Sequence, residues 1–152
     1  MKIGVVSDTH GLLRPEVTVA LTGVEHILHL GDVGEYWILQ ELEKIAPVTA
    51  VRGNVDHENL CSKLPETEVF ELQEISIYLL HNIEKLDLDP KAASFAAVLF
   101  GHSHKADIRR HKGVLYFNPG SCGPRRFHLP VTMGFLNLGV GGTLEPEIVE
   151  LG

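Results

Sequence analysis

Three short apolar, β-branched runs open the chain, KIGVV, HILHL and VTAVR, and two segments of helical character separate them. The first, PEVTVALTG, places Pro15 in the opening turn of a helix and Gly23 just past its end. The second, EYWILQELEKIA, repeats apolar residues at helical spacing and is followed by Pro47. In such a βαβαβ succession each crossover returns the chain to the same end of the sheet. These strands therefore run parallel, with helices packed on them. The second half changes character. EVFEL, ISIYLL, AAVLF, ADIRRH, VLYFN, MGFLNL and EIVEL read as strands with few residues between most of them, and only DPKAASFAA, residues 89–97, looks helical. KGVLYF after ADIRR predicts a hairpin turning at Lys112–Gly113, and the later strands are expected to be largely antiparallel. So many strands exceed one flat sheet. The expectation is a single domain over residues 1–152 with two facing mixed sheets flanked by helices.

Five of these strand ends carry the same kind of side chain. KIGVVS ends in Asp8-Thr9-His10, HILHL in Gly31-Asp32, and VTAVR in Gly53-Asn54-Val55-Asp56. ISIYLL ends in His81-Asn82, and AVLF in Gly101-His102-Ser103-His104. Ligands of open α/β sheets bind outside the carboxyl ends of the strands. Asp8 and His10 are two residues apart, as are His102 and His104, and in extended chain each pair points to one side. Glycines before Asp32, Asn54 and His102 permit close backbone approach. Mixed carboxylate, amide and imidazole donors suit Mn²⁺, Fe²⁺ or Zn²⁺. Seven such side chains are too many for one ion and suit two, with Asp32 shared. Two divalent ions bring about +4 and the two aspartates return about −2. The surplus suits a hydroxide and a phosphate oxyanion, the two-metal arrangement for displacement at phosphorus.

Composition narrows the partners. The formal net charge is −7, and basic runs are confined to Arg109–Lys112 and Arg125–Arg126, which weighs against nucleic acid as a partner. No segment reaches the roughly 18 unbroken apolar residues of a membrane helix. The N-terminal apolar run is too short for a signal peptide, so no membrane partner and a cytoplasmic location are expected. Cys61 and Cys122 lack metal-knuckle spacing and read as buried free thiols.

The ordered blocks DTHG, GD, GNVD, the histidine after a strand, GHSH and NPGS resemble the calcineurin-like metallophosphoesterases, above all their small YfcE-type phosphodiesterase branch. The match runs from Asp8 to Ser121. The resemblance implies a four-layer α/β/β/α sandwich with two mixed sheets. It implies two divalent cofactors, foremost Mn²⁺ with Fe²⁺, Ni²⁺ and Zn²⁺ as alternatives. One ion would be held by Asp8, His10, Asp32 and His104, the other by Asp32, Asn54, His81 and His102. The implied reaction is attack of a metal-bridged hydroxide on a phosphodiester, or a phosphomonoester, of a small molecule. Relatives often form dimers or tetramers, so a homo-oligomer falls within the expectation. NPGS reads as structural support beside the site.

Two positions depart from the family pattern. Val55 stands where many relatives carry a His assigned as general acid, and Asn82 stands where a Gly usually follows the histidine. Asn tolerates the left-handed backbone such a turn needs. Asp56 reads either as a turn residue or as a group that orients a ligand, and His57 either as a proton donor or as a solvated residue. Arg125 and Arg126 read either as a solvated loop or as contacts to a substrate anion. His29 reads as a satisfied core histidine. The rival to an enzyme is a binding scaffold like the retromer subunit of this fold, whose metal site is altered; here all seven donors are present. DNA-processing nucleases with this core carry long extra domains that this chain lacks.

Overall fold

The computed structural model describes residues 1–151. Its strands are β1 (Lys2–Val6), β2 (His26–His29), β3 (Val48–Ala50), β4 (Thr67–Leu72), β5 (Ile75–Leu80), β6 (Ala97–Leu99), β7 (Asp107–His111), β8 (Val114–Asn118), β9 (Thr132–Leu138) and β10 (Leu144–Glu150). Two α-helices, α1 (Pro15–Ala20) and α2 (Trp37–Glu43), connect the first three. Pro15 begins α1 at a position where its missing N–H costs no helical bond. In α2 the spacing of Ile38, Leu39 and Leu42 turns one face into the core.

The strands form two five-stranded sheets, ordered β10-β9-β1-β2-β3 and β4-β5-β6-β8-β7. As expected, β1, β2 and β3 are parallel and the β7–β8 hairpin turns at Lys112 and Gly113. The expectation of antiparallel later strands holds at β4–β5, β7–β8 and β9–β10 and fails in the middle of the second sheet. There β5, β6 and β8 run parallel. Residues 81–96 are long enough to carry the chain back over the sheet, which a tight hairpin cannot do. The second sheet thus has a parallel centre, and the first a parallel half from β1 to its β3 edge with β9 antiparallel on the other side of β1. The carboxyl ends of these parallel strands open on one edge of the molecule.

Side-chain alternation distributes the core. Ile3, Val5, Leu28 and Leu30 of the first sheet meet Ile77, Leu79, Leu99, Leu115 and Phe117 of the second in a dry layer between them. The opposite face of the first sheet packs Val6, Ile27 and Phe135 against Val17 of α1, Leu21 just past its end, and Ile38 and Leu42 of α2. The outer face of the second sheet, Tyr78, Leu80, Val98 and Phe100, is covered by Ile83, Leu86, Leu88 and Phe95. That cover is not the helix expected over 89–97. Residues 90–94 make a turn in which Ala93 N–H bonds the Asp89 carbonyl at 3.0 Å and Ser94 is left-handed at φ 65°. Phe95 is drawn in against Tyr78, ring centroids 5.1 Å apart, and β6 begins two residues later. The four layers are therefore unequal, with α-helices on one outer face and only turns on the other. No helix among the described residues is long and apolar enough to cross a membrane.

Candidate metal centre

The open edge gathers donor atoms from both sheets. Asp8, His10 and His104 form one group and Asp32, His81 and His102 a second, and within each group one donor atom per residue lies within 4.8 Å of the others. Asn54 reaches the second group through its Oδ1, 3.2 Å from His102 Nδ1. The two groups share a centre. Asp8 Oδ1 lies 3.5 Å from His10 Nε2, 3.3 Å from His104 Nε2 and 3.8 Å from His81 Nε2. Asp32 Oδ2 lies 3.5 Å from His10 Nε2 and 3.2 Å from His81 Nε2.

The reason these side chains converge differs from the one read in the sequence. Asp8, His10, Asp32, His102 and His104 are not extended; all five are left-handed, with φ of 58°, 45°, 55°, 73° and 65°. Asp and His are among the residue types that tolerate this region best, yet each such residue stores about 1–3 kcal/mol of strain. Hydrogen bonds hold the strained chain. Asp8 N–H donates to the Gly31 carbonyl at 3.0 Å, His10 N–H to that of Asp32 at 2.9 Å, and Gly101 N–H to that of His81 at 2.9 Å. Ser121 Oγ donates to the Asp8 carbonyl at 3.0 Å, and Asn118 Nδ2 to that of Gly101 at 3.1 Å. The NPGS loop is thus a brace beneath the centre. Two glycines allow the close approach. A Cβ on Gly53 would collide with the Asp32 carboxylate, and one on Gly101 with Ser7 Oγ and Asp8.

The carboxylates are aimed by their outer oxygens. Asp8 Oδ2 accepts from Ser7 Oγ at 2.6 Å and from His102 N–H at 3.1 Å, and Asp32 Oδ1 accepts from Val55 N–H at 3.0 Å. The inner oxygens are left for the centre. His81 is aimed likewise. Its Nδ1 sits 2.7 Å from the Leu30 carbonyl, which can only accept, so the neutral ring presents a lone pair on Nε2 to Asp32 and Asp8. A lone pair facing carboxylate oxygens requires a proton or a cation between them. Four buried atoms, Asp8 Oδ1, His10 Nε2, His81 Nε2 and His104 Nδ1, have no hydrogen-bond partner among the described residues. Each such orphan costs about 1–3 kcal/mol if nothing binds it. The donor set fits divalent cations.

Residues 1–140 match the calcineurin-like phosphoesterase superfamily domain. The chain belongs to that superfamily. A probable metallophosphoesterase of Methanocaldococcus jannaschii is 33% identical over 164 residues, 99% of this chain and 82% of that protein. A solved archaeal phosphodiesterase is 25% identical with a TM-score of 0.79 over 98% of this chain and all of its own. Vacuolar protein sorting 29 from Cryptosporidium parvum has the same fold at 19% identity, with a TM-score of 0.77 over 98% of this chain and 96% of that one. This chain is accordingly a metallophosphoesterase, a hydrolase that works with divalent metal ions.

Electrostatics of this phosphoesterase follow from the same contacts. Burial alone would raise the Asp8 carboxyl, but the imidazoles of His10, His104 and His81 and the Ser7 hydroxyl hold it far below the ordinary carboxylate range. Asp32 is also lowered: burial opposes this, and His81 and the Val55 N–H outweigh it. Burial disfavours the charged form of His81, but Asp32 and Asp8 raise it.

The other sequence candidates fall around this centre. Asp56 is buried, with Oδ2 accepting from Val33 and Gly53 N–H groups at 3.2 and 2.9 Å and Oδ1 from Gly34 N–H at 3.1 Å. It ties the Asp32 and Asn54 loops together and has no oxygen to spare. Val55 and His57 are both exposed. His57, Asn54 and His81 line a cleft of about 890 Å³ that continues past Arg52, Tyr78 and Lys85. A second cleft, of about 420 Å³, opens beside His102, Lys105 and Arg109. Arg125 and Arg126 are exposed on the loop after Gly123 and line neither cleft. Asn82 corrects the reading from sequence: its backbone is extended, φ −116° and ψ 115°, and needs no left-handed tolerance.

Reading the sequence did not assign His29 its task. Its Nδ1 accepts from Gly31 N–H at 3.1 Å, and its Nε2–H donates to Thr9 Oγ1 at 3.0 Å, which donates on to the Val33 carbonyl at 2.8 Å. This chain fixes the residues flanking Asp8, His10 and Asp32 and needs a neutral ring. Burial pushes His29 down from 6.5 to about 4. The unfolded chain therefore binds more protons than the folded one between those values. The stability this contributes is complete above the unfolded value and is lost as pH falls through the window, by about 3 kcal/mol in all. His29→Gln should remove that slope. Urea midpoints of the ion-free protein from pH 7 to pH 4 are the measurement, and a slope equal to wild type would show that His29 does not carry it.

Proposed function

We propose that this phosphoesterase hydrolyses a phosphodiester of a small molecule using two divalent ions, with Mn²⁺ the most effective. Asp8, His10, Asp32 and His104 would hold one ion, and Asp32, Asn54, His81 and His102 the other. The observation that carries this reading is the position of Asp32 Oδ2, which faces an imidazole Nε2 from each donor group, that of His10 and that of His81. Ions bound there supply Lewis-acid activation of water and charge stabilisation at the phosphoryl oxygens. The chain itself supplies preorganisation. Asp8 and Asp32 are clamped by their outer oxygens, so their inner oxygens need not reorganise as charge develops.

The loop carrying Arg125 and Arg126 is anchored at the centre by Ser121 and by Arg14 Nε, which donates to the Gly123 carbonyl at 3.2 Å. This supports a rim contact with an anionic group on the substrate. A diester is favoured over a monoester because a monoanion needs less positive compensation than a dianion. The scaffold reading ranks below the enzyme because a binding surface alone has no use for strained, aimed donors. The deciding experiment is a screen of phosphodiesters and phosphomonoesters on metal-reconstituted protein. Turnover of neither class at any divalent ion would end the proposal.

Val55 sets the expected leaving-group dependence. An alkoxide of high pKa needs a proton as the P–O bond breaks, and a positioned acid is worth about 10²–10⁴-fold. An aliphatic side chain cannot supply it, and exposed His57 is the nearby substitute in the cleft. Over diesters of graded leaving-group pKa, kcat/KM should fall steeply in wild type and equally in His57→Ala. A shallow dependence that steepens in the variant would make His57 the acid.

A further inference from the structure

The two clefts beside the centre share one lining residue, Asn82. His81, next to it in sequence, lines the larger cleft and His102 the smaller, and the two rings meet edge to face with centroids 5.2 Å apart. Asn82 therefore stands on the saddle between the clefts, beside the candidate metal donors. Its side-chain orientation is fixed by chemistry. The Glu84 N–H donates to Asn82 Oδ1 at 3.0 Å, capping the 3₁₀ turn Ile83–Lys85, so the oxygen must face that turn. The amide nitrogen then faces away from the cap, and no protein group among the described residues accepts from it.

We infer that Asn82 is a substrate-binding residue whose Nδ2 donates to an oxygen of the phosphoryl group, with the two ester arms of a diester lying in the two clefts. This rests on the phosphodiesterase reading and adds a residue outside the metal set. A phosphoryl group seated at the centre is anionic and rich in acceptors, and a neutral donor held by a capped turn binds it without the entropy loss of a flexible lysine. The cap also explains why an amide serves here: one end holds the turn while the other remains free to donate. A glycine could do neither, and an aspartate could cap but not donate.

The test separates these two tasks. Asn82→Ala removes both, whereas Asn82→Ser can keep the cap through its hydroxyl but is too short to reach the saddle. On Mn²⁺-loaded protein, both variants should raise KM for bis(4-nitrophenyl) phosphate by about 10-fold or more, with a smaller change in kcat. Both should weaken binding of inorganic phosphate, followed by calorimetry, by a similar factor. Bound Mn²⁺ should stay at the wild-type stoichiometry. Only Asn82→Ala should lower the melting temperature. Wild-type KM and phosphate affinity in Asn82→Ser would reduce Asn82 to a cap and overturn the inference. If wild-type protein hydrolyses no ester, the phosphodiesterase reading fails, and phosphate calorimetry still decides whether Asn82 binds the anion.

Discussion

Asp32→Asn should purify with one divalent ion or none and lose on the order of 10³-fold or more in kcat/KM. The substitution keeps the shape of the side chain and its acceptor for Val55 N–H at Oδ1. It removes the charge at Oδ2, the atom that faces His10 in one donor group and His81 in the other. An amide can present a carbonyl to one ion but cannot bridge two with a shared negative charge. The loss should therefore appear in both sites at once, unlike His104→Ala or His102→Ala, which each touch one donor group. Metal content by elemental analysis, read beside activity, is the check. A variant that binds two ions at wild-type affinity would remove Asp32 from the bridging role and leave Asp8 Oδ1 as the next candidate.

Exhaustive chelation should abolish hydrolysis, and Mn²⁺ should restore it at least as well as Fe²⁺, Ni²⁺ or Zn²⁺. A second readout does not depend on turnover. Ions that bind the folded centre and not the unfolded chain stabilise it by mass action, by about 4 kcal/mol at a thousandfold excess over Kd. The melting temperature should thus fall on chelation and rise with added Mn²⁺. The unpartnered buried atoms and buried carboxylates make this coupling large, because binding offsets desolvation already present in the ion-free fold. Hydrolysis that survives chelation would exclude the two-ion mechanism. Restored activity with no change in melting temperature would place the working ions away from this centre.

Much of this was legible because the chemistry sits at strand ends. Asp8, Asp32, His81 and His102 each follow an apolar run that is readable from its length and branching, and parallel strands put their carboxyl ends on one edge. The backbone conformation of the donors was not legible. Left-handed Asp8 or His104 is a consequence of bonds from distant residues such as Gly31, Ser121 and Asn118, and local spacing carries no trace of them. The helix expected over 89–97 failed for a similar reason. Its composition favours a helix, but Phe95 packs against Tyr78 and the chain must enter β6 at Ala97, leaving no length for a second turn. Asp56 was ambiguous because an aspartate in a Gly-Asn turn looks the same whether it caps its own loop or, as here, binds N–H groups from two loops.

The donors come from two sheets. Asp8, His10, Asp32 and Asn54 leave the first, and His81, His102 and His104 leave the second. A metal bond tolerates displacements of about 0.2 Å, whereas one residue of slip along a strand is about 3.3 Å. The seating of one sheet on the other is thus itself a catalytic parameter. Leu28, Leu99 and Phe117, deep in the layer between the sheets, act as shims that set the spacing of a centre they never touch.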